Sequence, residues 1–277
     1  MSRTRSVYSC GLLLISLLAI MLSADPARAQ EDISRNTLYD IPPRWLVDLP
    51  TAGTLPRGHF SLGIRLYSEG GGMGYTNIGL SNRFMVGISY GGTNVISNQE
   101  PDWNPNIEFS LRFRVVDELP YLPAMSVGYS SQGYGSFNKA QERYAYKSRG
   151  FYAVASRSFY FYRWTAGWHG GVNYARSDIE KEPRGQDIKD EDINLFLGFD
   201  ATFNYNLALL LEYDVALNDD RSANSFAGDG RGYLNMSIKW LFTRNLEIEL
   251  LAKDLLTNRP ESDTFSREVR LTYIDSF

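Results

Sequence analysis

The residues that could carry chemistry are few, and the first to consider is a histidine with a serine two positions away. His59 and Ser61 would share one face of a β-strand, where a histidine can act as a base towards a serine hydroxyl. This spacing gives a lipid hydrolase as one interpretation. His169, the other histidine of the chain, lies in a glycine-rich stretch and fits close backbone packing better than ligand binding. We therefore predict no catalytic residue, no cofactor and no metal site.

Charged residues form a second candidate set, because they recur at every other position of otherwise apolar stretches. Arginines alternate with large apolar residues from 107 to 115, and acids alternate with leucines from 207 to 215. If the apolar face contacts lipid, the charged face lines an interior lumen. The predicted lumen charges are Arg65, Arg112, Arg114, Glu212, Asp214, Lys239, Glu247 and Glu249. Opposite charges on facing walls would either pair and hold the lumen shut or set the selectivity of a pore.

Composition limits the class of protein that could position these residues. The 277 residues carry Lys+Arg 28 against Asp+Glu 32, a net charge of -4, so nucleic acid is not an expected partner. A mean hydropathy of -0.30 excludes a bundle of transmembrane helices, and the single cysteine excludes a disulfide framework. Tyr 18, Phe 15, Trp 5 and Gly 24 favour β-structure with many turns.

The N-terminus resembles a secretory signal and not part of the fold. Arg3 and Arg5 supply a positive start, residues 12–22 supply an apolar stretch, and residues 27–29 (Ala-Arg-Ala) supply a cleavage site. We predict a cleaved signal peptide at 1–29. Residues 30–58 contain four prolines and little periodicity, and they predict an irregular periplasmic lead-in.

From His59 to Phe277 the apolar residues alternate with polar ones almost without interruption, which is typical of strands with one polar face. About twelve strands are predicted, at 59–67, 73–80, 84–91, 106–116, 124–131, 150–159, 164–174, 192–203, 207–217, 232–242, 246–255 and 264–277. Short and long connections alternate between them, and aromatic residues flank the short ones. The pattern predicts an all-β fold: a transmembrane antiparallel up-and-down β-barrel at 59–277, with short periplasmic turns and longer external loops. A secreted soluble β-protein is the alternative, since it would alternate in the same way with its apolar face inward.

Two long connections are rich in carboxylates and predict the partners of such a barrel. Residues 175–191 and 218–231 would lie outside the cell, where their carboxylates could bridge through divalent cations to lipopolysaccharide. We therefore expect outer-membrane lipid and lipopolysaccharide as partners, in a Gram-negative envelope.

Four segments resemble the YjbH-type outer-membrane barrels, which are associated with exopolysaccharide export. They are residues 49–58 (LPTAGTLPRG), 79–92 (GLSNRFMVGISYGG), 102–105 (DWNP) and 131–135 (SQGYG). The resemblance implies a reduced, single-barrel relative that assists envelope polysaccharide export, together with export proteins as partners. The alternatives are a passive diffusion porin and the lipid hydrolase based on His59 and Ser61.

Overall fold

A computed structural model describes most of the chain after the predicted signal. It covers residues 43–139, 143–161, 164–175, 180–181, 187–188, 193–203, 206–219, 228–259 and 264–277. The predicted signal peptide at 1–29 lies outside the described residues and stays a prediction. No helix in the described ranges has the length and apolar character needed to cross a membrane.

Twelve long antiparallel strands form a closed barrel, in which the first strand pairs with the last. The barrel strands are β1 (His59–Tyr67), β2 (Gly71–Ser81), β3 (Phe84–Thr93), β5 (Glu108–Val116), β6 (Ala124–Ser130), β9 (Gly150–Phe161), β10 (Trp164–Tyr174), β13 (Asn194–Phe203), β14 (Leu207–Asp214), β15 (Tyr233–Leu241), β16 (Leu246–Lys253) and β17 (Ser266–Ser276). Short strands in the connections are β4 (Asp102–Trp103), β7 (Tyr134–Asn138), β8 (Arg143–Tyr146), β11 (Glu180–Lys181) and β12 (Asp187–Ile188). The predicted fold class is confirmed.

The outside of the barrel is apolar and the inside is polar, which is the reverse of a soluble protein. On β5, Phe109 is 56% exposed, whereas Arg112 is 1% exposed. On β14, Leu211 faces outward and Glu212 faces inward. A continuous exterior of exposed leucine, isoleucine and phenylalanine is unstable in water and suits a bilayer. The chain is therefore a membrane-spanning β-barrel, and the soluble alternative is wrong.

Aromatic rings gather at the end of the barrel that carries the short turns. Phe161 stacks on Trp164 across one turn at 4.0 Å, and Trp164 lies 6.5 Å from Phe203. At the closing seam, Phe60 packs against the C-terminal Phe277 at 5.1 Å. Rings at this level sit at the boundary between lipid and water, where their partly polar character is favoured.

Of the predicted periplasmic lead-in at 30–58, residues 30–42 lie outside the described residues, and residues 43–55 lie inside the barrel. Leu46, Leu49 and Ala52 are buried against inward-facing apolar residues of the wall. These wall residues are Ala124, Tyr152, Val154, Phe196, Ala208 and Leu210. The protein's hydrophobic core therefore lies within the lumen. We call residues 43–55 the plug.

Candidate functional site in the barrel lumen

The plug is a tight loop that enters the lumen from the side of the short turns. The Thr54 hydroxyl donates to the backbone oxygen of Asn82, in the turn between β2 and β3. Within the loop, the N–H of Leu46 donates to the oxygen of Leu49 at 2.9 Å, and the N–H of Thr51 donates to the oxygen of Arg44 at 3.2 Å. Residues 46–49 therefore form the tip, which lies beside Arg65, Glu212 and Lys253, near the ends of β1, β14 and β16 on the side of the long loops.

Glu212 binds the tip of the plug through the backbone. Its carboxylate accepts hydrogen bonds from the N–H groups of Val47 at 3.0 Å, Asp48 at 2.9 Å and Leu49 at 2.8 Å. The side chain of Asn235 donates a further bond at 2.7 Å. Three successive N–H groups aimed at one anion form a concave site that suits a carboxylate, and such charge-assisted bonds are stronger than neutral ones.

Asp48, at the tip of the plug, joins a buried network of four charges. It lies 2.6 Å from Arg65 and 2.6 Å from Lys253, and Arg65 also contacts Glu268 at 2.6 Å. Burial alone would raise the pKa of Asp48, but the charges of Arg65 and Lys253 outweigh it and hold that pKa below its usual value. Two cations and two anions balance here, so a plug without Asp48 would leave an excess positive charge on the wall.

The opposite wall holds the plug by donating to its carbonyl groups. Arg112 donates to the backbone oxygens of Arg44 and Gly53, both at 2.6 Å, and its guanidinium lies 4.6 Å from the centre of the Trp45 ring. Arg114 donates to the oxygen of Ala52 at 3.0 Å. These bonds are made by backbone groups of the plug and not by its side chains, so they could not be predicted from the residue types of the plug.

The predicted lumen charges do not pair across the lumen as the sequence analysis expected. Arg65, Arg112, Arg114 and Glu212 contact the plug, as described above. The remaining predicted charges pair elsewhere: Glu249 with Arg270 at 3.3 Å and Glu247 with Lys239 at 3.8 Å on neighbouring strands, and Asp214 with Arg149 of the connection before β9. The cross-lumen interpretation is corrected for a physical reason, because the plug occupies the space between the two walls.

The connection between β6 and β9 covers the other side of the lumen. The Tyr134 ring lies 4.2 Å from the Arg65 guanidinium, and the Tyr146 ring lies 4.0 Å from the Lys253 amine. Both cations already bind Asp48 of the plug, so loop and plug meet on the same pair of charges. The sequence predicted this connection as an external loop without indicating that it folds inward.

His59 and Ser61 do not form the pair that a hydrolase would need. The His59 ring contacts the backbone oxygen of Arg57 at 3.3 Å, and Ser61 accepts a hydrogen bond from Asn77 at 3.2 Å. Within the described residues, no hydrogen bond joins the two side chains.

A different serine and histidine are connected inside the lumen. His169 lies between Ser156 at 2.8 Å and Asp200 at 2.7 Å. Ser156 also accepts the N–H of Ala52 at 2.8 Å. All three side chains are buried beneath the plug, so a substrate cannot reach the serine in this structure. Ser156 on β9 binds the plug, and it is held in turn by His169 on β10 and Asp200 on β13. Among the described residues, no cluster of three or more histidine, cysteine or acidic side chains could hold a metal ion.

The plug was missed by sequence reasoning, although one signal was present. Val154, Phe196 and Leu210 face inward, where a water-filled lumen would carry polar residues. The structure adds a reason for the glycine at position 198, because a β-carbon there would lie 2.0 Å from the Leu46 side chain of the plug. An apolar patch on the predicted lumen face therefore indicates that something apolar covers it.

No protein-family model matches the chain, and no curated protein matches it. Similar solved structures include the KdgM porin, at 11% identity and a TM-score of 0.45, covering 79% of this chain and 99% of that chain. The NanC porin is also 11% identical, with a TM-score of 0.45 and the same coverage. The Acinetobacter baumannii outer membrane protein Omp33 is 8% identical, with a TM-score of 0.43, covering 79% of this chain and 97% of that chain.

The resemblance to YjbH-type barrels is wrong. No family model matches, and the similar solved structures include the KdgM and NanC porins. The segments that carried the resemblance have general roles in a barrel: residues 79–92 contain the turn between β2 and β3, and residues 49–58 lead from the plug into β1. Polysaccharide export and export partners depended on that resemblance and are not carried further.

Proposed function

We propose that this protein is a diffusion channel of the outer membrane that is held closed by its own plug. The observation that carries the proposal is a polar, charged lumen occupied by a separate segment of chain. Eight-stranded barrels are filled by their own inward side chains. Twelve strands enclose more space than the side chains fill, and here residues 43–55 occupy it. A barrel with only a structural role would not need such a segment.

The way the plug is held supports a closed state that can open. Most of its bonds join backbone groups to charged side chains, as at Glu212, Arg112 and Arg114. Water can replace such bonds when the plug leaves, because the wall residues are charged and would be hydrated. The plug continues into β1 through residues 56–58, so release does not require any strand to separate.

Permeation through liposomes tests the proposal. Wild-type protein and a variant lacking residues 43–55 should be reconstituted separately and exposed to small neutral sugars of increasing size. We expect slow permeation for the wild type and fast, size-limited permeation for the deletion variant. Migration on gels with and without boiling checks that both proteins form a barrel. A folded deletion variant that is no more permeable than the wild type would contradict the proposal.

The expected contact with lipopolysaccharide stays a prediction. Most of the predicted loop at 175–191, and residues 220–227 of the predicted loop at 218–231, lie outside the described residues. The channel proposal does not depend on that contact.

A further inference from the structure

The plug leaves part of the lumen unfilled. A cavity of about 70 Å³ remains between the plug and the surrounding wall. Its lining includes Arg44 from the plug and, from the wall, the cations Lys239 and Arg270 and the carboxylates Glu247 and Glu249. A water molecule occupies about 30 Å³ in the liquid. The cavity therefore has room for one small ion or a few waters, and it is too small for a sugar.

The guanidinium group of Arg44 lines this cavity and lacks a partner of opposite charge. Its Nη1 atom is buried without a hydrogen-bond partner. Within the described part of the chain, no carboxylate forms an ion pair with Arg44, whereas Arg65 pairs with Asp48 and Glu268 and Arg270 pairs with Glu249. Buried N–H groups of a cation are rarely left unsatisfied, because the loss of hydration is costly.

The cavity lining has more cations than carboxylates, since it holds Arg44, Arg65, Lys239 and Arg270 against Glu247 and Glu249. Burial lowers the pKa of Arg44; the carboxylate of Glu247 opposes this shift, and repulsion from Arg112 and Arg270 adds to it. Glu247 and Glu249 already pair with Lys239 and Arg270, so they do not balance the charge of Arg44. An anion in the cavity would supply the missing charge and accept the N–H of Arg44.

We propose that this cavity binds one small monovalent inorganic anion, such as chloride, with Arg44 as a direct donor. The volume suits a small ion, and the buried Nη1 group of Arg44 favours an acceptor with a full negative charge over water alone. The site belongs to the closed structure, so it goes beyond the proposed channel function and does not depend on it.

Thermal unfolding of the full chain in detergent tests the site, with chloride exchanged for gluconate at constant ionic strength. A ligand that binds only the folded state stabilises it by mass action. We expect chloride to raise the unfolding temperature of the wild type. Arg44→Gln should abolish that shift and should be at least as stable as the wild type in gluconate, because the buried charge is gone. Arg57→Gln, which changes an exposed arginine just after the plug, should retain the shift.

Two results would overturn the site. One is equal unfolding of the wild type in chloride and gluconate, and the other is an undiminished chloride shift in Arg44→Gln. Crystals of the full chain grown in bromide give a direct measurement. We expect an anomalous peak about 3.5 Å or less from the Arg44 guanidinium. A cavity without such a peak would contradict the proposal.

Discussion

At the scale of single residues, the carboxylate of Glu212 satisfies three successive N–H groups of the plug at once. Glu212→Gln replaces that anion by an amide, whose NH₂ group cannot accept these bonds. Hydrogen bonds to charged groups contribute about 1.5–3 kcal/mol. A loss of about 2 kcal/mol would raise the ratio of open to closed channels roughly thirtyfold. Planar-bilayer recordings measure this ratio.

Asp214→Asn is the matched control for Glu212→Gln. Asp214 lies on the same strand and the same face, but it pairs with Arg149 and does not contact the plug. We expect a much smaller change in conductance for this variant. Equal effects of the two substitutions would show that loss of lumen charge, and not release of the plug, controls the conductance.

Asp48 predicts how the closed state depends on pH. In the closed state its pKa lies below the usual value, and release of the plug would return it to about 3.9. The released state therefore binds a proton more readily. Above about pH 4, Asp48 contributes fully to the stability of the closed state. As the pH falls below about 4 and passes through the lower pKa of Asp48 in the closed state, this contribution is lost.

Conductance of the wild type should accordingly increase below about pH 4, by up to about tenfold per pH unit from this carboxylate. Asp48→Asn should conduct more at neutral pH and respond less to acid. Asp102→Asn, in an exposed pair with Lys139, should behave as the wild type. A wild-type conductance that stays constant from pH 5 to pH 2.5 would contradict this role.

At the scale of elements, β14 presents consecutive leucines to two different environments. Leu211 faces lipid, whereas Leu210 faces the plug and is buried against its apolar residues. Leu211→Arg places a charge in the membrane at a cost of about 2–4 kcal/mol, so it should reduce the amount of assembled barrel. Leu210→Ala should leave assembly intact and should loosen the plug by about 2–5 kcal/mol.

Gel mobility before and after boiling measures assembly for both leucine variants, and bilayer recordings measure closure. If both substitutions impaired assembly and neither changed conductance, the assigned orientation of β14 would be wrong.

Gly198 predicts a second effect at the level of a strand. A β-carbon at this position would collide with Leu46 of the plug, so Gly198→Ala should push the tip out of place and raise conductance. Gly74 lies on the barrel exterior, where an added β-carbon has its nearest neighbour at 4.0 Å. Gly74→Ala should therefore conduct like the wild type. Unchanged conductance in Gly198→Ala would indicate that Leu46 does not hold the plug.

The strands could be predicted because each one has a lipid face and a lumen face. β5 and β14 begin within two residues of their predicted starts, since the alternation of apolar and charged residues continues to the strand ends. The plug could not be predicted in the same way. Leu46, Val47 and Leu49 follow no period of two or 3.6, and Asp48 interrupts them. Their position depends on backbone groups that bind Glu212 and Arg112, and every sequence has such groups.

At the scale of the whole molecule, the barrel is closed by two segments that come from opposite ends. The plug enters from the side of the short turns, and the connection that contains Tyr134 and Tyr146 covers the other side. Both converge on Arg65 and Lys253. Removal of the plug alone therefore leaves the loop in place, and the conductance of such a variant reports whether the plug is the main barrier.

Adding the plug back as a separate peptide tests most directly whether the plug closes the channel. A barrel that lacks residues 43–55 should conduct in a planar bilayer, and a synthetic peptide of residues 43–58 should block it when added on the periplasmic side. The same peptide with a scrambled sequence should not block, and Glu212→Gln in the deletion variant should weaken the block by an order of magnitude or more. A conducting barrel that the peptide does not block, or a deletion variant that does not conduct, would contradict a channel closed by its own plug.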